Sequence, residues 1–229
     1  MTERLIVALD HPDLLSALAQ VDQIGDAARR YKVGLELYLS AGRRAVDELV
    51  ARGRRVFLDL KLHDIPETVE RAARAATAGG GVDLLTVHAS GGFRMLAAAV
   101  AGAGDTRVLA VTVLTSLDES DLAADGNPLP VEDLVVRRAL LAESAGCAGV
   151  VASPREVAAI RKKVRPDFLI VTPGVRAQNA RGGDDQKRVA TAKEARRAGA
   201  DAVVVGRPIR DAEDPRAAAL ALAAELESA

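Results

Sequence analysis

No tryptophan occurs in this chain, and two tyrosines and three phenylalanines supply its aromatic surface. So few rings exclude the stacking platforms on which single-stranded nucleic acids are held. A single cysteine, Cys147, excludes an internal disulfide and any CxxC metal site, and fits a reducing cytoplasm. No signal-peptide pattern precedes the first strand pattern, so the expected location is cytoplasmic. No long apolar run is present; "MLAAAVAGAG" is too short and too broken by glycine to span a bilayer. Charge of one sign is lacking as well. The formal net charge is −1 with acidic and basic residues interleaved, which argues against nucleic acid or a membrane surface as a partner. Neither a GxGxxG fingerprint nor a Walker A loop is found.

What remains is a repeating pattern. Short apolar, β-branched runs alternate with longer helical ones eight times, without a linker or composition shift, so residues 1–229 read as one domain. The strand candidates are 4–10, 29–34, 54–61, 83–90, 107–116, 149–153, 168–175 and 202–209. Several are continuously apolar, as strands covered on both faces should be. Helix signals fall between them: Asp13 before "LLSALAQV", Ser40 before "AGRRAVDELVARG", Pro66 in a first turn, and Gly53, Gly79 and Gly199 at helix ends. Eight such units predict a single-domain (β/α)8 TIM barrel of the α/β class. A doubly wound open sheet would use fewer strands and would carry the missing glycine fingerprint.

In such a barrel the site lies at the C-terminal ends of the strands. Polar residues gather there: Asp10, Lys32, Asp59 with Lys61, His88 with Ser90, Thr115 with Ser116, "TPGVR" and "GRP". The opposite loops, such as "AGGGVD" and "RAGAD", are read as carrying no comparable set.

The densest stretch is "FLDLKLHDIPETV", 57–69. Asp59 and Lys61 lie two apart on a strand and point the same way, away from Leu58 and Leu60. A structural ion pair would also account for two such charges. Two features favour chemistry. The chain holds six lysines among 31 basic residues, yet two of them end neighbouring strands. An ammonium can give up a proton near neutrality, which a guanidinium cannot. Lys32, Asp59, Lys61 and Asp64 are expected to alternate in sign in one enclosed place, an array that holds a lysine protonated and aimed. His63 and His88 are read as supporting or packing residues, and His11 as a turn residue.

Phosphate binding is legible from the barrel itself, since the loops after strands 7 and 8 are its usual anion site. Gly174 lets backbone approach an anion, and Gly206 with Arg207 offers amide donors and a guanidinium fork. The polar segment 176–188 reads either as a surface loop or as a lid over phosphate and nucleoside.

"DLKLHDIPETV" closely resembles the signature of the orotidine 5′-phosphate decarboxylase family, D-x-K-x-H-D-I-P-x-T. The resemblance extends over nearly the whole chain through "IVALD", "KVGLE", "VHASGG", "VTVLTS", "TPGVR" and "VVVGRPI", in that order. It implies decarboxylation of orotidine 5′-monophosphate to uridine 5′-monophosphate, the last step of de novo UMP synthesis, without metal or organic cofactor. It implies Lys61 as proton donor, Asp59 beside the substrate carboxylate, and Lys32 and Asp64 completing the network. Asp59 would act either by repulsion or by orienting Lys61. The resemblance further implies a homodimer in which Asp64 and Thr68 enter the partner's site. Asp10 and Lys32 would bind ribose hydroxyls and Thr115, or its neighbour Ser116, the pyrimidine amide. Ile65, Pro173, Arg176, Gln186 (or Gln178), Gly206 and Arg207 complete the substrate contacts. Two other readings stay open: a magnesium-dependent sugar-phosphate relative sharing D-x-K-x-x-D (3-keto-L-gulonate 6-phosphate decarboxylase or hexulose-6-phosphate synthase), and a non-catalytic nucleotide-binding barrel, to which Lys61 as lysine would not matter.

Overall fold

The computed structural model describes residues 3–173, the backbone of 175 and 176, and residues 190–229. Eight parallel strands close into a barrel in chain order: β1 (Leu5–Leu9), β2 (Arg30–Val33), β3 (Arg55–Leu62), β4 (Val82–His88), β5 (Arg107–Val111), β6 (Gly149–Val151), β7 (Leu169–Thr172) and β8 (Ala202–Val205). β8 returns to β1 with Ile6 opposite Val204, and helices lie between successive strands. A parallel pair formed by Val175–Arg176 and Ala190–Thr191 stands outside the barrel.

The two-residue period divides each strand between two cores. Ile6, Ala8, Phe57, Leu84, Leu109, Val171, Ala202 and Val204 fill the barrel's interior. Their neighbours, among them Leu5, Val7, Tyr31, Leu58, Leu85 and Val203, pack outward against the helices. Alanine lines much of the helix side, and this lets helices approach closely without aromatic bulk. At Gly102 the approach leaves no room for a side chain: a Cβ there would run into the Glu70 carbonyl oxygen on the neighbouring helix. Among the described residues no helix is long and apolar enough to cross a membrane.

Several boundaries differ from the sequence expectation. β5 ends at Val111 rather than continuing through "TVLTS". There the Thr112 amide and hydroxyl both donate to the Val151 carbonyl, and Arg138 Nη1 donates to the Thr112 carbonyl at 2.7 Å. β8 stops at Val205 because Gly206 caps a short helix, Arg207–Arg210. Ser40 does not start a helix. It lies within Leu35–Ala41, its hydroxyl donates to the Leu37 carbonyl, and Gly42 at φ 61° separates that helix from Arg43–Ala51. Asp13 caps its helix as expected, accepting from the Ser16 amide at 2.9 Å.

The N-terminal end of the barrel is not bare either. Arg30, 7% exposed, lies 2.7 Å from Asp83 and 3.3 Å from Glu3, while Arg107 also pairs with Asp83 and Arg55 with Glu3. These residues stand singly at or near the starts of strands, where each reads as a solvated strand end. Closure of the barrel brings them together as an ionic plug beneath the apolar interior.

Candidate active site

The interior face of the barrel turns polar above the layer formed by Ala8, Phe57 and Leu84. Two residues on from each stand Asp10, Asp59 and Thr86, and Lys32 lies in register between Ala8 and Phe57. The four charges form one chain of alternating sign. Asp10 Oδ1 is 3.0 Å from Lys32 Nζ, Lys32 Nζ is 3.8 Å from Asp59 Oδ2, and Asp59 Oδ2 is 2.7 Å from Lys61 Nζ.

Asp59 is the buried member, 8% exposed. Burial alone would push its carboxyl pKa up. The Lys32 and Lys61 ammoniums, with hydrogen bonds from Lys61 and Thr86, outweigh burial and hold the pKa below the usual carboxylate value. Asp59 is therefore an anion at neutral pH, and it fixes Lys61 from one side.

Lys61 has an unusual backbone. Its φ is +50°, which makes it the one non-glycine residue with positive φ among those described. Such a conformation costs a β-carbon-bearing residue on the order of 1–2 kcal/mol. It arises where β3 departs from β4: Leu58 pairs with Leu85 but Leu62 pairs with Val87, so β3 spends four steps against two. The Lys61 amide, displaced from the ladder, donates instead to Thr86 Oγ1 at 2.9 Å. The bulge lifts the ammonium toward the mouth of the barrel while leaving it in contact with Asp59.

The expected array included Asp64, and here the structure differs. Asp64 is exposed and makes no ion pair with its own chain among the described residues; its Oδ1 accepts from the adjacent Ile65 amide at 2.6 Å. The fourth member of the array within the chain is Asp10, because the β1–β2 register carries its carboxylate to Lys32. Ile65 is 65% exposed, and Thr68 is half-buried in the first turn of helix Pro66–Thr77. Asp64, Ile65 and Thr68 thus stand apart from the charge chain.

Gly34 and Gly206 flank Asp10. A Cβ at Gly34 would lie 2.9 Å from Lys32 Nζ, and one at Gly206 would lie 3.2 Å from Asp10 Oδ2. The loop after β8 is tied to the same place by Arg210, which donates to the Asp10 carbonyl at 3.3 Å. Arg207 is exposed at the start of that loop's helix, and Pro173 is half-buried just past β7. Thr115 is half-buried in the segment leaving β5, and Ser116 beside it is exposed. Gly174, Gln178, Gln186 and the side chain of Arg176 lie outside the described residues.

His63 and His88 pack against each other, ring centroids 5.5 Å apart. Burial, then the nearby His63, Lys61 and Arg138, hold the His88 pKa below the usual histidine value against an opposing pull from Asp59, so His88 is neutral at pH 7. Neither ring interrupts the Lys–Asp chain. His11 lies in the loop after β1, and its Nε2 is 2.7 Å from Gln20 Oε1.

Thr86 was not among the expected site residues. Strand alternation was the available signal: Leu84, Thr86 and His88 share the interior face of β4, and Thr86 stands one layer above an apolar neighbour, as Asp59 does.

Comparison with known proteins bears on the fold and the family. The family model described as "Orotidine 5'-phosphate decarboxylase / HUMPS family" matches residues 3–222. An orotidine 5′-phosphate decarboxylase of an Anaeromyxobacter species is 56% identical over 98% of this chain and 99% of its own length. One from Methylobacterium radiotolerans is 53% identical over 98% of this chain and 96% of its own length. The crystal structure of the Lactobacillus acidophilus orotidine 5′-phosphate decarboxylase superimposes with a TM-score of 0.87 at 38% identity, covering 98% of this chain and 99% of that one. From the match across the barrel and these full-length relatives, the chain belongs to the orotidine 5′-phosphate decarboxylase / HUMPS family.

Proposed function

We propose that this chain decarboxylates orotidine 5′-monophosphate to uridine 5′-monophosphate and CO2, the last step of de novo UMP synthesis, with Lys61 as proton donor. The observation that carries the assignment of roles is the Asp10–Lys32–Asp59–Lys61 chain of alternating charge at the C-terminal mouth of the barrel. Breaking the bond from pyrimidine C6 to the carboxylate leaves an electron pair on C6 with no adjacent sink. A fixed cation must meet that charge as it develops. Lys61 does so and then gives one N–H proton to C6; the neutral amine left behind regains a proton from solvent. Asp59 lies beside the leaving carboxylate and keeps the ammonium aimed.

The remaining roles are those that the family resemblance implies. Asp10 and Lys32 bind ribose hydroxyls, and Thr115 meets the pyrimidine amide. Pro173, Arg176 and Gln186 contact the nucleotide from the strand 7 side, Gly206 and Arg207 from the strand 8 side, where they take the phosphate. Asp64, Ile65 and Thr68 serve the site of a second copy in a homodimer. Their separation from their own chain's charges, and the exposure of Ile65, support that placement. No metal enters this reading.

The test follows the absorbance of orotidine 5′-monophosphate with purified protein in EDTA. Sustained turnover to UMP is expected; turnover that appears only with Mg2+, or only with sugar phosphates, would move the chain to the other branch of its family. A second expectation concerns Gly34. The Cβ of Gly34→Ala displaces only the flexible end of Lys32, so the fold is retained while turnover falls about tenfold or more through a misplaced ammonium. Thermal melts and steady-state rates on the same sample check both halves.

A further inference from the structure

We infer that Thr86 is a positioning residue for the decarboxylation: its hydroxyl joins the Asp59 carboxylate to the Lys61 main chain and so sets where the Lys61 ammonium points. The inference rests on the proposed role of Lys61 as proton donor.

Thr86 is fully buried on the interior face of β4. Its Oγ1 donates to Asp59 Oδ1 at 2.8 Å and accepts from the Lys61 amide at 2.9 Å. The direction of each bond is forced. An amide can only donate and an ionised carboxylate can only accept, so the one hydroxyl proton goes to Asp59 and a lone pair receives Lys61. Asp59 is thereby held through both oxygens, Oδ1 by Thr86 and Oδ2 by Lys61. Lys61 is held at both ends as well, its amide by Thr86 and its ammonium by Asp59. The three residues close a ring in which neither catalytic side chain can turn without breaking a bond.

The ring stands where the β3–β4 ladder is interrupted. Lys61 sits in the segment where β3 loses register with β4, at positive φ. A regular strand would fix its amide on a neighbouring carbonyl; here a side-chain oxygen takes that place. Threonine suits the task because branching at Cβ restricts its χ1 and aims the hydroxyl. Valine would have the same shape beside Leu84 and Leu109, so filling the interior does not require the oxygen. A site built to about an ångström loses rate when its donor swings away, even if substrate still binds.

Steady-state kinetics of Thr86→Val and Thr86→Ser, at a temperature where circular dichroism shows both folded, test this. Thr86→Val is expected to lower kcat about a hundredfold with KM little changed, and Thr86→Ser, which keeps the oxygen, to restore most of the rate. Should the valine variant not fold, Thr86→Ala is measured in its place with the same expectation. A wild-type kcat in the hydroxyl-free variant, with only its melting temperature lowered, overturns the inference, as does a serine variant no more active than the valine one. Failure of the underlying reading looks different: Lys61→Ala would then keep its rate, whatever the Thr86 variants do.

Discussion

Lys61→Ala is expected to lower turnover of orotidine 5′-monophosphate by at least about 10⁴-fold, the combined worth of a general acid and a fixed charge beside the developing anion. The substitution removes one contact, the 2.7 Å bond to Asp59, and leaves Asp59 with Lys32 at 3.8 Å and the Thr86 hydroxyl at 2.8 Å. The main-chain bond from residue 61 to Thr86 survives, since it involves only the amide. Alanine also bears a Cβ and keeps the positive-φ cost without adding to it. The variant should therefore fold and melt close to the parent while failing to release CO2. Lys61→Arg separates the chemistry from the charge: a guanidinium preserves the positive end of the array but does not surrender a proton near neutrality. A non-catalytic nucleotide-binding barrel would tolerate it; a proton donor would not. CO2 release by either variant near the parent rate would remove Lys61 from the role assigned to it.

Asp59→Asn is the second large effect. The amide matches the carboxylate in shape but not in bonding. If its oxygen faces Thr86, its NH2 group confronts the Lys61 and Lys32 ammoniums, donor against donor. If it is reversed, the Thr86 hydroxyl loses its acceptor. Either way two cations lose the anion between them, and the rate should fall about 10³-fold as Lys61 is released from its aim. Stability should fall too, by about 1–3 kcal/mol; the lysines reach partly exposed positions where water takes up some of their charge, which keeps the loss below that of a fully enclosed pair. The pH dependence has a definite sign. The folded-state pKa of Asp59 is depressed, so its contribution is complete above the ordinary carboxylate pKa near 4 and is lost as pH falls through the folded value. Wild type should thus lose melting temperature more steeply below about pH 4 than Asp59→Asn, which starts lower and has no carboxylate to protonate there. Parallel melting curves from neutral to acid pH check this.

The barrel was legible because its cause is written along the chain. Several strands are apolar, β-branched runs, and Leu58 and Leu60 facing away from Asp59 and Lys61 already announced two sides. Strand ends were less legible. "TVLTS" continues the β-branched pattern past the end of its strand at Val111, and the chain turns into a helix at Gly206, within "GRPI". Past Val111 the Thr112 carbonyl is held by Arg138, a contact made with a distant segment. The plug of Arg30, Asp83 and Arg107 stayed hidden for the same reason.

In the site, Asp59 and Lys61 could be paired from spacing, and Lys32 from its place at the next strand end. Asp10 could be placed at the mouth, but its bond to Lys32 depends on register, and the β1–β2 register is not written in either strand. The bulge was invisible. Lysine is no marker of a left-handed backbone, so nothing in "DLKLH" signals that residue 61 leaves the ladder and that β4 must supply a hydroxyl to hold it. Asp64 follows the strand closely in sequence, but it is exposed and its carboxylate accepts from the Ile65 amide rather than pairing with its own chain's lysines among the described residues.

The measurement closest to the central claim is the distance from Lys61 Nζ to pyrimidine C6 in a crystal of the chain with UMP bound. The account predicts a separation of about 3–3.5 Å, with Asp59 still bonded to the ammonium and no other proton donor nearer to C6. An ammonium directed away from the ring, or a different donor at C6, would contradict it.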